Sequence, residues 1–193
     1  MIPLNLPTFN IKISQKNGRT HIFDILRRRY ITLTPEEWVR QHFTNYLIGH
    51  LGYPAPLMAN EVTINVGGVS RRCDTVLYRR EEGTPRMIIE YKAPDVEITQ
   101  EVFNQISSYN SVLRAEYLVV SNGLRHFCCH LDYTTQQYQF LPEIPAFAAY
   151  PWRHPWGCRN GTRCGCWGGC GSGACKAKRV VVPPRFVAAP IGS

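Results

Sequence analysis

Hydrophobic and polar positions change period several times along this chain, and each change marks an element. Residues 9–26 (FNIKISQKNGRTHIFDIL) alternate on either side of Asn17-Gly18. Alternation interrupted by Asn-Gly predicts a β-hairpin with a tight turn. From Thr34 the period lengthens. Val39, Phe43, Leu47 and Leu51 recur every four residues and predict an amphipathic helix. Thr34 suits the N-cap, Pro35 the first helical position, and Glu37 the reciprocal place in a capping box. Gly52-Tyr53-Pro54 ends that helix.

Three strands are predicted next: Met58 to Val66, Arg71 to Tyr78 and Arg86 to Tyr91. Gly67-Gly68 separates the first two, Glu82-Gly83-Thr84-Pro85 the second two, and Pro94 stops the third. Thr99 to Leu113 reads as a second helix with Val102, Phe103, Ile106 and Leu113 inward. Tyr117 to Val120, ending at Asn122-Gly123, reads as a buried central strand. Arg125 to Leu131 and Gln137 to Leu141 form a closing hairpin. The order helix, three strands, helix, strand predicts an α/β domain: a central mixed sheet flanked by helices, with an extra N-terminal hairpin.

Composition divides the chain near residue 150. Residues 151–193 hold 7 of the 22 Lys and Arg, none of the acids, 8 of the 15 glycines and 5 of the 8 cysteines. The formal charge of +8 therefore lies almost wholly in this tail, and residues 1–150 are nearly neutral. Nucleic acid would have to meet that domain through a local patch, not a global field. The tail has too few aliphatic residues to build a core. It reads as a disordered basic extension, or as out-of-frame or junction-derived sequence. Cys158, Cys164, Cys166, Cys170 and Cys175 include no C-x-x-C pair, so a zinc-holding tail is the weaker alternative. No basic stretch leads into an apolar run at the amino terminus, and no apolar run approaches membrane length. A cytoplasmic setting is the expectation, with Cys73, Cys128 and Cys129 reduced.

The candidate chemistry lies between Arg71 and Pro94, in RRCDTVLYRREEGTPRMIIEYKAP. Asp74 sits on one predicted strand, and Glu90-Tyr91-Lys92 ends the next. Side chains alternate along a strand, so Glu90 and Lys92 share a face and Tyr91 takes the other. If the strands pair, two carboxylates and an ammonium converge. Such a set can hold a hard divalent cation and touch a phosphate. It also reads as an ion-pair cluster on an exposed strand end. Arg27, Arg28 and Arg29 read as a solvated charge run, or as an edge that contacts phosphates.

The Asp followed one hairpin later by acid-x-Lys resembles the PD-(D/E)XK nuclease superfamily. TPEEWVRQHFTNYLIGHLGYP (34–54), the block above, QISSYN (105–110) and YLVVSNG (117–123) stand in the order seen in the N-terminal domain of type I restriction enzyme R proteins. The likeness is nearest to small stand-alone bacterial proteins built from that domain and covers residues 1–147. It implies a restriction-endonuclease-like fold and Mg²⁺-dependent hydrolysis of DNA, with Mn²⁺ able to substitute. Asp74, Glu90 and the Tyr91 carbonyl would hold the metal, and Lys92 would stabilise charge on the phosphate. Glu37 would be the first-helix acid aimed at the site, although the capping box already explains it; Glu36 would face solvent. Gln105 and Tyr109 resemble the Q-x-x-x-Y element of RecB-type nucleases, which supports the metal site and DNA backbone. They also read as an amphipathic boundary pair. Cys73 stands where the family often has proline. The sequence contains no G-x-x-x-x-G-K-[ST] phosphate loop, so no nucleotide motor is expected. A homodimer or a restriction-system partner is compatible with the resemblance. The rival reading is a module that keeps the fold and binds nucleic acid or a partner without cutting.

Overall fold

The computed structural model describes residues 2–147. The expectations for the tail, residues 151–193, lie outside the described residues. The chain begins with three antiparallel strands, β1 (Ile13–Lys16), β2 (Arg19–Asp24) and β3 (Arg29–Thr32). Asn17 and Gly18 turn β1 into β2 with φ of 51° and 70°, the left-handed pair that an Asn-Gly hairpin needs. The expected N-terminal hairpin is therefore part of a larger sheet, because a second turn follows. Asp24 Oδ1 accepts from the main-chain N–H of Leu26 (2.9 Å) and Arg27 (2.8 Å), and Arg28 takes φ 53°. This turn sends Arg29 back along β2.

Helix α1 (Pro35–Gly49) starts where the cap predicts, with the Thr34 hydroxyl accepting from the Glu37 N–H at 3.1 Å. A six-stranded sheet follows in the order β4 (Met58–Val66), β5 (Val69–Tyr78), β6 (Pro85–Tyr91), β7 (Tyr117–Ser121), β8 (His126–Asp132) and β9 (Gln137–Leu141). All neighbours are antiparallel except β6 and β7. That parallel pair needs a crossover, and α2 (Gln100–Leu113) supplies it.

The two helices cover opposite faces. Val39, Phe43 and Leu47 of α1 pack on Leu77, Met87, Ile89, Val119 and Cys128. Val102, Phe103 and Ile106 of α2 pack on Val76, Ile88, Leu118, Val120 and Cys129. Alternate residues of β6, β7 and β8 thus feed alternate cores. Cys128 and Cys129 enter different cores as free, buried thiols, and burial pushes Cys129 up to about 11. Gly123 (φ 81°) lets the N-terminal segment lie across the end of β7. A Cβ there would stand 2.7 Å from Leu4 Cδ2, and Asn5 N–H donates to the Gly123 carbonyl at 2.7 Å.

One irregularity prepares the site. Met58 packs on the α1 side and Ile64 on the α2 side, although even-numbered residues of one strand should share a face. The switch falls at Glu61, whose φ is 56°. The β4–β5 ladder runs through Asn60↔Thr75 and resumes at Val62↔Cys73, omitting Glu61 and Asp74. A left-handed residue other than glycine inside a strand stores strain, so its neighbours must hold it there.

Candidate active site

Asp74 lies where β5 and β6 separate. Their register is regular from Leu77↔Met87 to Thr75↔Ile89. Beyond it, the Tyr91 N–H donates to Asp74 Oδ2 at 2.8 Å, so a carboxylate takes the place of a ladder carbonyl. Asp74 Oδ1 accepts from Arg40 Nη2, also at 2.8 Å. Glu90 is buried, and its Oε1 accepts from Lys92 Nζ at 2.8 Å and Gln105 Nε2 at 2.6 Å. Lys92 Nζ also donates to Gln105 Oε1 at 3.2 Å, and Gln105 Nε2 to the Tyr109 hydroxyl at 2.8 Å. Glu90, Lys92, Gln105 and Tyr109 thus form one side-chain network across β6 and α2, and Asp74 on β5 meets the same strand at the Tyr91 N–H. Tyr91 turns the other way, into the α1 core against Phe43.

Burial pushes the Glu90 carboxyl up to about 7, the Asp74 charge adds to this, and Lys92 opposes it. Asp74 is also raised by burial, although Arg40 and the Tyr91 N–H pull it down. Burial alone would lower Lys92, but its bond to Glu90 holds it above the ordinary value. Glu90 Oε2 is buried and has no hydrogen-bond partner among the described residues. A buried carboxylate oxygen in that state is costly, and a cation or a proton would relieve it.

The first-helix acids differ from the expectation. The Glu37 side chain does not complete the capping box; its Oε1 accepts from Arg40 Nη1 and faces Arg27 at 3.6 Å. Glu36 is the helix acid whose charge is felt at Asp74 and Lys92. Burial raises its carboxyl and Asp74 raises it further, while Arg40 and Lys92 lower it. Its side chain is 45% exposed, so a ligand arriving from solvent can reach it.

Arg27 is neither solvated nor presented to a phosphate. It binds Asp24 Oδ2 and Glu61 Oε2, each at 2.6 Å. Arg28 and Arg29 are exposed at the turn and the start of β3.

Sequence reasoning missed Arg40. Its guanidinium is buried among Glu36, Glu37, Glu61 and Asp74 and lies 5.7 Å from the Tyr91 ring centroid. The Glu36–Arg40 spacing of four was a readable signal. The pairing with Asp74, on a strand 34 residues later, was not.

Among the described residues, no three His, Cys, Asp or Glu side chains form a metal-holding group. Asp74 and Glu90 would thus supply two carboxylates, with a backbone carbonyl and waters for the remainder. That donor set suits Mg²⁺, which keeps several waters, better than Zn²⁺, whose sites take three or four side chains.

Among solved structures, the chain is similar to one described as an HsdR-subunit fragment of a type I restriction enzyme from Vibrio vulnificus YJ016. Identity is 22%, and the match covers 59% of this chain and 24% of that chain with a TM-score of 0.45. A search of the curated proteins finds no match. The model of the type I restriction enzyme R protein N terminus (HSDR_N) family matches residues 35–145. That span runs from the first residue of α1 past the end of β9 and takes in Asp74, Glu90 and Lys92. It is more than half of the 193 residues, and the chain belongs to this family.

Proposed function

We propose that this domain hydrolyses DNA phosphodiester bonds with Mg²⁺, or Mn²⁺ in its place. The observation that supports the proposal is the buried Glu90, bonded to Lys92 and with its Oε2 unpartnered, next in sequence to the Tyr91 N–H that holds Asp74. Asp74, Glu90 and the Tyr91 carbonyl would hold the metal. When bound, Mg²⁺ offsets charge on the scissile phosphate and makes a water more acidic. Lys92 uses two of its three ammonium donors on Glu90 and Gln105, which fixes the head group and leaves one donor for a phosphate oxygen or the attacking water. Gln105, tied to Tyr109 on the next turn of α2, orients Glu90 and Lys92 together. DNA is the proposed substrate, and restriction-system subunits are the proposed partners.

One observation favours a second reading. The Arg40 guanidinium already supplies a positive charge at Asp74 Oδ1. In that reading the domain keeps the fold and binds DNA without cutting it.

Metal binding separates the two. A ligand that binds only the folded state stabilises it, by about 2.7 kcal/mol at a hundred times its Kd. Added Mg²⁺ or Mn²⁺ should raise the melting temperature of the wild type. It should leave Asp74→Ala and Glu90→Ala unchanged. Because the cation competes with a proton at Glu90, the effect should grow as pH rises through about 7. Equal shifts in all three proteins would remove these carboxylates as ligands.

A further inference from the structure

Beside the carboxylate cluster lies a cleft of about 390 Å³ that the chemistry above does not use. Ile2, Leu33, Pro35, Trp38 and Pro94 are among the residues that line it, and Asp95 is its charged group. Pro35 immediately precedes Glu36, and Pro94 follows Lys92 by two residues. The cleft therefore sits between the two segments that carry Glu36 and Lys92. We infer that it receives an unpaired nucleobase of the same nucleic acid whose phosphate lies at Asp74, Glu90 and Lys92. The inference rests on the proposed function for that neighbouring phosphate.

The lining chooses the base over the backbone. Among the described residues no Lys or Arg lines the cleft, and Asp95 would repel a phosphate. A flat, apolar ring system matches a cleft lined by an indole and the exposed Pro35, with Pro94 buried behind them, and aromatic stacking is the general means by which proteins hold unpaired bases. The Trp38 ring is held in place by the chain itself. Its Nε1–H donates to the Ile2 carbonyl at 3.2 Å, and the His42 ring lies 3.9 Å away between centroids. Asp95 is exposed at the rim and can accept from an exocyclic amino group. A paired base presents only its edge and cannot enter such a cleft. The substrate thus carries single-stranded, frayed or extruded nucleotides next to the scissile phosphate.

The test is binding of fluorescein-labelled oligonucleotides to the full chain by anisotropy. Ca²⁺ replaces Mg²⁺, and one sequence is used in single-stranded and duplex form. Trp38→Ala should weaken single-strand binding at least about fivefold, the lower end for loss of one stacked base. Duplex binding should stay within about twofold. Trp38→Phe should retain most of the affinity. Asp95→Ala should weaken oligo-dC and oligo-dA more than oligo-dT, which has no exocyclic amino group. Equal losses on both forms would overturn the inference. So would full affinity in Trp38→Ala, or a lowered melting temperature with unchanged DNA binding, which would show the chain itself filling the cleft. If Trp38→Ala does not fold, Trp38→Phe and Asp95→Ala decide. Absence of cleavage by the wild type would count against the nuclease reading alone, because this assay requires only binding.

Discussion

Glu90→Gln is expected to lose at least about a thousandfold in DNA cleavage and, at the same time, to melt at a higher temperature than the wild type. The two effects have one origin. Glu90 is buried beside Asp74, so its negative charge is costly in the metal-free protein. The amide keeps an acceptor for Lys92 and Gln105 but carries no charge. It also makes a poor ligand for a hard cation, which removes several kcal/mol of charge stabilisation from the transition state. The sign of the stability effect follows from linkage. The folded carboxyl is raised to about 7 from an ordinary 4.5. Its wild-type contribution is fully present below 4.5 and is lost as pH rises through about 7. Glutamine does not titrate, so the variant's advantage should open between those values and level off above, on the order of 1–3 kcal/mol. Thermal melts at pH 5 and pH 8 without divalent cations provide the check. A variant less stable at pH 8 than at pH 5, relative to the wild type, would mean that Glu90 is a structural ion-pair partner.

Arg40→Met should do the opposite to the fold. Methionine matches much of the side chain's length, so the change mainly removes charge and hydrogen bonds. It leaves Asp74 with one donor and takes a cation from Glu36, Glu37 and Glu61, of which Arg27 still reaches the last two. Breaking a buried ion pair from one side costs about 3–5 kcal/mol. For a domain of this size that is a fall of roughly 6–20 °C in melting temperature. Adding Asp74→Asn should restore part of the loss, because the two changes act on one network. A single variant within 1 °C of the wild type would show that Arg40 does not hold this corner together. The network also explains how Glu61 keeps its left-handed backbone: Arg27 and Arg40 both reach its carboxylate.

Short-range chemistry made much of the fold legible. Asn17-Gly18 marked the first turn, the spacing of Val39, Phe43 and Leu47 marked α1, and the glycine breaks separated β4, β5 and β6. The spacing of Glu90 and Lys92, and the i,i+4 pair of Gln105 and Tyr109, reflect strand and helix periods, and these four side chains meet accordingly; Asp74 instead bonds Arg40 and the Tyr91 N–H. The misses all depend on long-range contacts. Strand β3 begins in Arg-rich sequence and pairs through its backbone after a turn at Asp24 and Arg28. Neighbouring helix positions lie about 100° apart, so the tilt of α1 on the sheet decides whether Glu36 or Glu37 faces the site. Here Arg40 and Arg27 draw Glu37 away. Glu61 gave no local sign of its left-handed conformation, because guanidinium partners from other elements, Arg27 and Arg40, hold it there.

The central claim, that Asp74, Glu90 and Lys92 form a metal-dependent nuclease site, is tested most directly by incubating plasmid and linear DNA with wild-type and Lys92→Ala protein, with Mg²⁺ and with chelator. The Lys92 side chain is 21% exposed and bonded to buried Glu90, so a thermal melt of the variant establishes that it folds before its activity is read. The expected result is Mg²⁺-dependent cleavage by the wild type, abolished by chelator and reduced at least about a hundredfold in the variant, as for loss of one donor to a developing negative charge. Cleavage at equal rates by both proteins, or none by a folded wild type with either Mg²⁺ or Mn²⁺, would contradict it.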